Sequence, residues 1–282
     1  MELNNQNYCN TILNEAEANT LIGEYFKKDK PFLVSKAANI ACEIASSVIL
    51  KKQPIPHHLK IQALVNMGVF PNTEENLQKF AYNYVESITN VDIMGVWAVL
   101  DYDWLVNTYC PQAHYTSLWG MEPYHFHNPW SANLENKTVL VIHPFENSIK
   151  NNYSNREKLF QNQNVLPKFE LKTIKAEQNL SNTNSNYFES IQRMRDSIAS
   201  VDFDVAIIGC GASGLPIASF IKKELHRTAI HMGGATQILF GIIGRRWEEY
   251  PQIRKLINQY WTRPLPEEIP DSAMSVEGGC YW

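Results

Sequence analysis

Asp204-Val205-Ala206-Ile207-Ile208-Gly209-Cys210-Gly211-Ala212-Ser213-Gly214 runs from an apolar stretch into a glycine turn. Leu215 to Leu225 then continues with helical spacing, before a second β-rich stretch at Thr228 to His231. Strand, turn, helix and strand in that order predict a parallel βαβ unit with a right-handed crossover. The glycines have G-x-G-x-x-G spacing and stand where a strand ends and a helix begins, which is the context the motif requires. Glycine lets the backbone turn sharply and bring amide N–H groups against an anion, and a helix N-terminus adds to the attraction. The unit therefore predicts a phosphate-bearing ligand, although close strand–helix packing by itself also selects glycine.

The same alternation extends outward from this unit. Upstream, Thr138–Ile142 and Phe169–Ile174 read as strands, with helices over Asn147–Phe160 and Tyr187–Ala199, and Asn179–Asn186 reads as a surface loop. Downstream, further helices run to Tyr260. The N-terminal half is also mixed. It reads as a helix over Ile12–Phe26, a strand at Phe32–Val34, a helix capped by Asn39 through Ala41–Leu50, helices over Leu59–Met67 and Thr73–Ile88, and a strand over Val91–Leu100. Tyr102 to Trp130 reads as an aromatic, loop-like segment, and long irregular segments inside compact proteins are commonly functional. Polar Ser131–Lys137 is the best boundary, separating an N-terminal α/β half (1–130) from a C-terminal Rossmann-like half (131–282). The fold class expected is α/β: a Rossmann-like parallel sheet with helices on both faces, its two α/β halves around a cleft.

The 282 residues suffice for a substantial core, and a formal net charge of −4 with mixed signs along the chain argues against nucleic acid as a partner. Five cysteines with no CxxC pair, and no charged-then-apolar leader, point to a reduced, cytoplasmic protein. The longest apolar runs, near Ala41–Leu50 and Ile93–Leu100, are too short to cross a bilayer, so membrane contact would be peripheral at most.

Gly209, Gly211, Ser213 and Gly214 are the first ligand-holding candidates. A dinucleotide site would also want an acidic residue about twenty positions on, to hold a ribose hydroxyl. Ile230 and His231 stand there instead, which disfavours NAD or FAD. Two further turns follow strands: His231-Met232-Gly233-Gly234-Ala235-Thr236-Gln237 and His143-Pro144-Phe145-Glu146. Parallel sheets bind ligands outside the carboxyl ends of their strands, so the three turns could line one crevice. Gly233, Gly234, Thr236 and Gln237 join the ligand-holding set, while a histidine at either turn, taken alone, is more often structural. Arg245 and Arg246 add two guanidinium groups suited to phosphate, against the ordinary reading of a solvated pair. Asp101-Tyr102-Asp103 follows a strand and offers hard oxygen ligands to a divalent cation, Mg2+ or Mn2+, though two aspartates at this spacing also arise by chance.

Val139 to Phe145, the Ile207–Ala212 turn, His231 to Gln237, Gly244-Arg245-Arg246-Trp247 and Glu277-Gly278-Gly279-Cys280-Tyr281-Trp282 together resemble a group of bacterial proteins found with surface-polysaccharide genes. That group is similar to the GT-D-type glycosyltransferases. The resemblance runs from about Pro31 onward and is most specific in the C-terminal half. It implies transfer of a sugar from a nucleotide-sugar donor to a glycan or lipid-linked acceptor, with the diphosphate at the strand ends and a divalent ion assisting. A carboxylate or histidine would then take the acceptor proton, for which Glu122, His143, Glu146 and His231 are the candidates. One departure stands out. Where relatives carry an arginine–glycine turn with an acid after the first strand, this chain reads Val34-Ser35-Lys36-Ala37-Ala38-Asn39-Ile40-Ala41, with Lys36 in place of the arginine and Ala41 at the acidic position. Metal dependence, and activity itself, are thereby open. A degenerate member that binds a nucleotide sugar or a partner without catalysis is the alternative, and a NAD- or FAD-dependent oxidoreductase is the more distant one.

Overall fold

A computed structural model of the chain describes residues 12–97, 102–177 and 186–282. Its strands are β1 (Ile12–Leu13), β2 (Leu33–Lys36), β3 (Ile93–Val96), β4 (His114–Ser117), β5 (Thr138–His143), β6 (Glu170–Lys175), β7 (Val205–Ile208) and β8 (Thr228–His231). They form one sheet in the order β1-β4-β3-β2-β8-β7-β5-β6, and every pairing is parallel. The fold is α/β and Rossmann-like, as the alternation of strands and helices predicts. The two halves share this sheet, joined where β2 pairs with β8.

Side-chain alternation divides the core between the two faces. Leu140, Ile142, Ala206, Ile208 and Ala229 enter one apolar cluster, under the helices Glu74–Ile88, Tyr187–Ala199 and Gly214–Lys223. Val139, Val141, Val205, Ile207 and Ile230 enter the other, under the helices Glu15–Tyr25 and Glu146–Tyr153 and the segment from Met121 to Leu134. Covered on both faces, β3, β5 and β7 read as nearly continuous apolar runs. Helix Glu74–Ile88 buries the stripe Leu77, Phe80, Ala81, Tyr84, Val85 and Ile88, and Thr73 caps it by accepting from the Asn76 amide. Asn186 caps helix Tyr187–Ala199 in the same way, through the Phe188 amide.

Several expectations need correction. The Tyr102–Trp130 segment is not a loop: it contains helix Tyr102–Tyr109, strand β4 and short 3-10 turns. Strand β4 spans four residues, His114–Ser117, with polar residues at both ends, too short a run for periodicity to register. Asn39 is the first residue of its helix and not its cap, and the chain continues past Ala45 as a π-helical turn, Ser46–Leu50. The helix expected over 147–160 breaks into Glu146–Tyr153 and Arg156–Leu159. Most of the Asn/Ser tract lies outside the described residues, as do Cys9 and Asp101. No described helix is long and apolar enough to cross a membrane.

Candidate functional site

The sheet register brings the site together. Ser35 pairs with His231, His231 with Ile208 and Ile208 with Ile142, so these four lie abreast across β2, β8, β7 and β5. One residue further along, at the carboxyl edge, come Lys36, Gly209 and His143, from strands that are not sequential. They border a cleft of about 890 Å3, partly open to solvent, whose other walls are the Met67-Gly68 loop and the segment from Pro270 to Trp282.

The turn after β7 forms the floor. Gly209 approaches its neighbours so closely that a Cβ there would lie 2.6 Å from His143 Cδ2 and 2.7 Å from the Gly233 carbonyl. Gly211 has φ +59°, in the left-handed region that favours glycine, and it opens the 3-10 turn Gly211–Ser213. No side chain caps this turn or the start of helix Gly214–Lys223. The buried Tyr187 hydroxyl steadies it by donating to the Ala212 carbonyl at 3.0 Å. Ser213 lines the cleft.

The turn after β5 differs. The Phe145 amide donates to His143 Nδ1 at 3.0 Å, so the neutral ring carries its proton on Nε2, which has no hydrogen-bond partner among the described residues. Burial lowers the pKa of His143 to about 3, so at neutral pH it offers the cleft a donor and not a basic lone pair. The following helix start is already occupied. The buried Glu268 carboxylate accepts from the Asn147 amide at 2.7 Å, from the Ser148 amide at 3.3 Å and from the Ser148 hydroxyl.

Lys36, at the end of β2, is the cation of the cleft. Its side chain lies along Gly233, where φ is +61° and a Cβ would fall 2.2 Å from Lys36 Cε. No hydrogen bond or ion pair engages its ammonium among the described residues. Burial lowers its pKa and nearby Arg246 lowers it further, while Glu277 and Glu122 oppose the shift.

Residues 277–282 fold back over the cleft. Gly234 packs against the Tyr281 ring, and Gln237 Nε2 donates to the carbonyls of Ile242 at 3.2 Å and Tyr281 at 3.3 Å, leaving its buried Oε1 unpaired. Thr236 is buried, and its hydroxyl donates to the Ile208 carbonyl at 3.1 Å. Arg246 donates to the Tyr281 hydroxyl at 2.9 Å and pairs with Glu277, and Arg245 donates to the Gly278 carbonyl. Both arginines thus hold residues 277–282 in place, and neither lines the cleft. Trp282 stands edge-on to Phe145, with ring centroids 6.1 Å apart, and its indole N–H donates to the Glu268 carbonyl.

The four acid–base candidates do not converge. Of them, only His143 lines the cleft. His231 has the opposite strand parity, so its ring points to the other face of the sheet, where Nδ1 meets the Ser35 hydroxyl at 2.9 Å and Nε2 is buried beneath Gly214 without a partner. Glu122 is buried among its own neighbours, accepting from the Tyr124 hydroxyl at 2.8 Å and meeting His125 Nε2 at 3.1 Å. Glu146 pairs with Lys150 at 2.7 Å and accepts from Thr173 on β6. Asp103 lies in the first turn of helix Tyr102–Tyr109. No three His, Cys, Asp or Glu side chains among the described residues come together as a group that could hold a metal ion, and Asp101 lies outside those residues. Sequence reasoning gave Lys36 no role beyond standing in for an arginine, and it missed Glu268. A cation at the last position of a buried strand was the available signal for Lys36. Glu268 had none, since its partners are 120 residues away or more.

Residues 131–239, which contain β5 to β8 and the three turns, match the GT-D-like family, described as a GT-D fold-like domain. The match covers less than half of the chain. Neither a search of curated proteins nor one of solved structures gives a match to the chain.

Proposed function

We propose that the protein is a glycosyltransferase that binds a nucleotide-sugar donor in this cleft and transfers the sugar to a hydroxyl of a glycan or lipid-linked acceptor in surface polysaccharide synthesis. The reading is supported by one observation above all: two hydrogen-bond donors without partners among the described residues line a cleft built largely from the stretch that matches the GT-D-like family. Lys36 Nζ and His143 Nε2–H stand on either side of an uncapped glycine turn. Such a lining suits an anion, and the anion of a nucleotide sugar is its diphosphate. In transfer, the bond from the anomeric carbon to the diphosphate breaks with its electron pair leaving on phosphate oxygen. The acceptor oxygen bonds to that carbon, and its proton passes to water. Charge grows on the diphosphate during this step, so fixed donors aimed at it lower the barrier.

A second reading, binding without transfer, is favoured by a specific observation. Glu177, the carboxylate that lines the cleft, is held by Arg193 through contacts of 2.9 and 2.6 Å, which leaves no free base there among the described residues. Thermal-shift measurements with a panel of nucleotide sugars, followed by a transfer assay with the donor that stabilises best, separate the two. At a donor concentration of about 100 Kd, stabilisation of roughly 2.7 kcal/mol is expected. Stabilisation with product formation supports the transferase. Stabilisation without hydrolysis or transfer across acceptors supports the binder, and stabilisation by NAD or FAD alone overturns both.

A further inference from the structure

We propose that Lys36 takes the place of a divalent cation in this cleft: its ammonium neutralises the diphosphate, which binds without a metal ion. The inference rests on the proposed diphosphate site and adds to it the source of the positive charge. Two independent observations carry it.

The first is the state of Lys36 itself. A strand end places it at the sheet edge, its stem fills the space left by the absent Gly233 side chain, and no carboxylate among the described residues pairs with it. A desolvated ammonium without a partner is costly to keep, and an anionic ligand supplies the missing partner. The second is the state of the metal-type ligands around the cleft. Glu177 is bound by Arg193, Glu122 by Tyr124 and His125, Glu277 by Arg246 and Glu268 by a helix start. The acceptor nitrogen of His143 is taken by the Phe145 amide. A point charge at short range gives the diphosphate the electrostatic neutralisation that a cation would, without needing a ligand cage.

Calorimetric titration of the full chain with inorganic pyrophosphate and with uridine and guanosine diphosphates, in EDTA and then in Mg2+ or Mn2+, tests this. The wild-type chain should bind a diphosphate in EDTA, with affinity changed less than about threefold by either metal. Lys36→Met should bind about 10- to 100-fold more weakly in both media, the range of a lost charged hydrogen bond. Its melting temperature without ligand should be unchanged or higher, because a partly buried ammonium that makes no hydrogen bond or ion pair among the described residues has been removed. Asp101→Asn with Asp103→Asn should bind as the wild type does. Binding by the wild-type chain that requires Mg2+ or Mn2+ overturns the inference while leaving the proposed function standing. So does loss of binding in the double aspartate variant, or full affinity in Lys36→Met. No diphosphate binding in either medium overturns the proposed function together with the inference. The wild-type comparison of the two media decides even if a variant fails to fold.

Discussion

The turns after β5 and β7 leave adjacent strands at the same sheet edge and lead into helices, yet they are in opposite states. After β5, the helix start at Asn147 and Ser148 is closed by Glu268, a carboxylate brought from residues that pack over the cleft. After β7, the turn through Gly211–Ser213 has no side-chain cap and opens into the cleft. One helix start has thus been satisfied by the protein's own anion, and the other has no side-chain cap. A strand followed by a helix therefore does not by itself make an anion site. What matters is whether the chain later returns to fill it.

The largest expected effect of a single substitution comes from breaking the closed turn. Glu268→Ala removes the acceptor for two amides and a hydroxyl in a buried setting, and should cost about 3 kcal/mol of unfolding free energy, measured by urea denaturation. A loss below about 0.5 kcal/mol, within the range of an ordinary surface substitution, would show that the two turns do not differ in this way.

Acid should act next, through His143 at the closed turn and through His231. Burial holds both pKa values at about 3, with Lys36 adding to the shift at His231. Above the ordinary value near 6.5 both rings are neutral whether the chain is folded or unfolded, and they make no difference to stability. Below it the unfolded chain takes up protons that the folded chain refuses. Stability is therefore full above about pH 6.5 and lost progressively as the pH falls toward 3, by roughly 2 kcal/mol for each histidine at pH 5. Denaturation curves at pH 7 and pH 5 check this, and His143→Gln should remove about half of the difference. A flat profile would mean that the rings are more hydrated than their burial indicates.

The smallest effect on stability belongs to the open turn. Gly211→Ala meets little steric resistance, its nearest neighbour being the Met67 carbonyl at 3.6 Å, but φ is +59°. The strain should cost about 1 kcal/mol, while diphosphate affinity falls more steeply because the turn amides shift. A variant that lost stability and kept full affinity would place the ligand off this turn.

The βαβ unit at the C-terminal end was readable from residues because its signals are local. An apolar run, a glycine turn and helical spacing recur within thirty-one residues, Asp204 to Gly234, and β7, helix Gly214–Lys223 and β8 lie where they predict. Strand β4 was hidden because four residues flanked by polar ones carry too little periodicity, and its pairing with β3 is a long-range fact. Within the site, the turn glycines and the position of His143 could be read from the sequence, whereas the orientation of His231 could not. Both histidines end strands, but His231 shares the parity of Ala229, which faces the helix Gly214–Lys223, and His143 shares that of Val141, which faces away from it. Strand limits must be known to the residue before that parity can be assigned, and a shift of one reverses it.

The sequence by itself determined the alternation of strands and helices, hence a parallel sheet, and marked where the backbone must turn without a side chain, at Gly209, Gly211 and Gly233. Those are properties of neighbouring residues, fixed by side-chain periodicity and by backbone sterics. Tertiary structure alone decided which charges remain free. Arg245 and Arg246 look from the sequence like phosphate ligands, and in the fold they hold Gly278, Glu277 and Tyr281. Lys36, which the sequence marked only as replacing an arginine, makes no hydrogen bond or ion pair among the described residues and stands beside the glycine turn. Charge pairing depends on which distant residues the sheet brings within a few ångströms of one another, and β2 meets β8 only after nearly two hundred residues of intervening chain have folded, from Leu33 to Ala229.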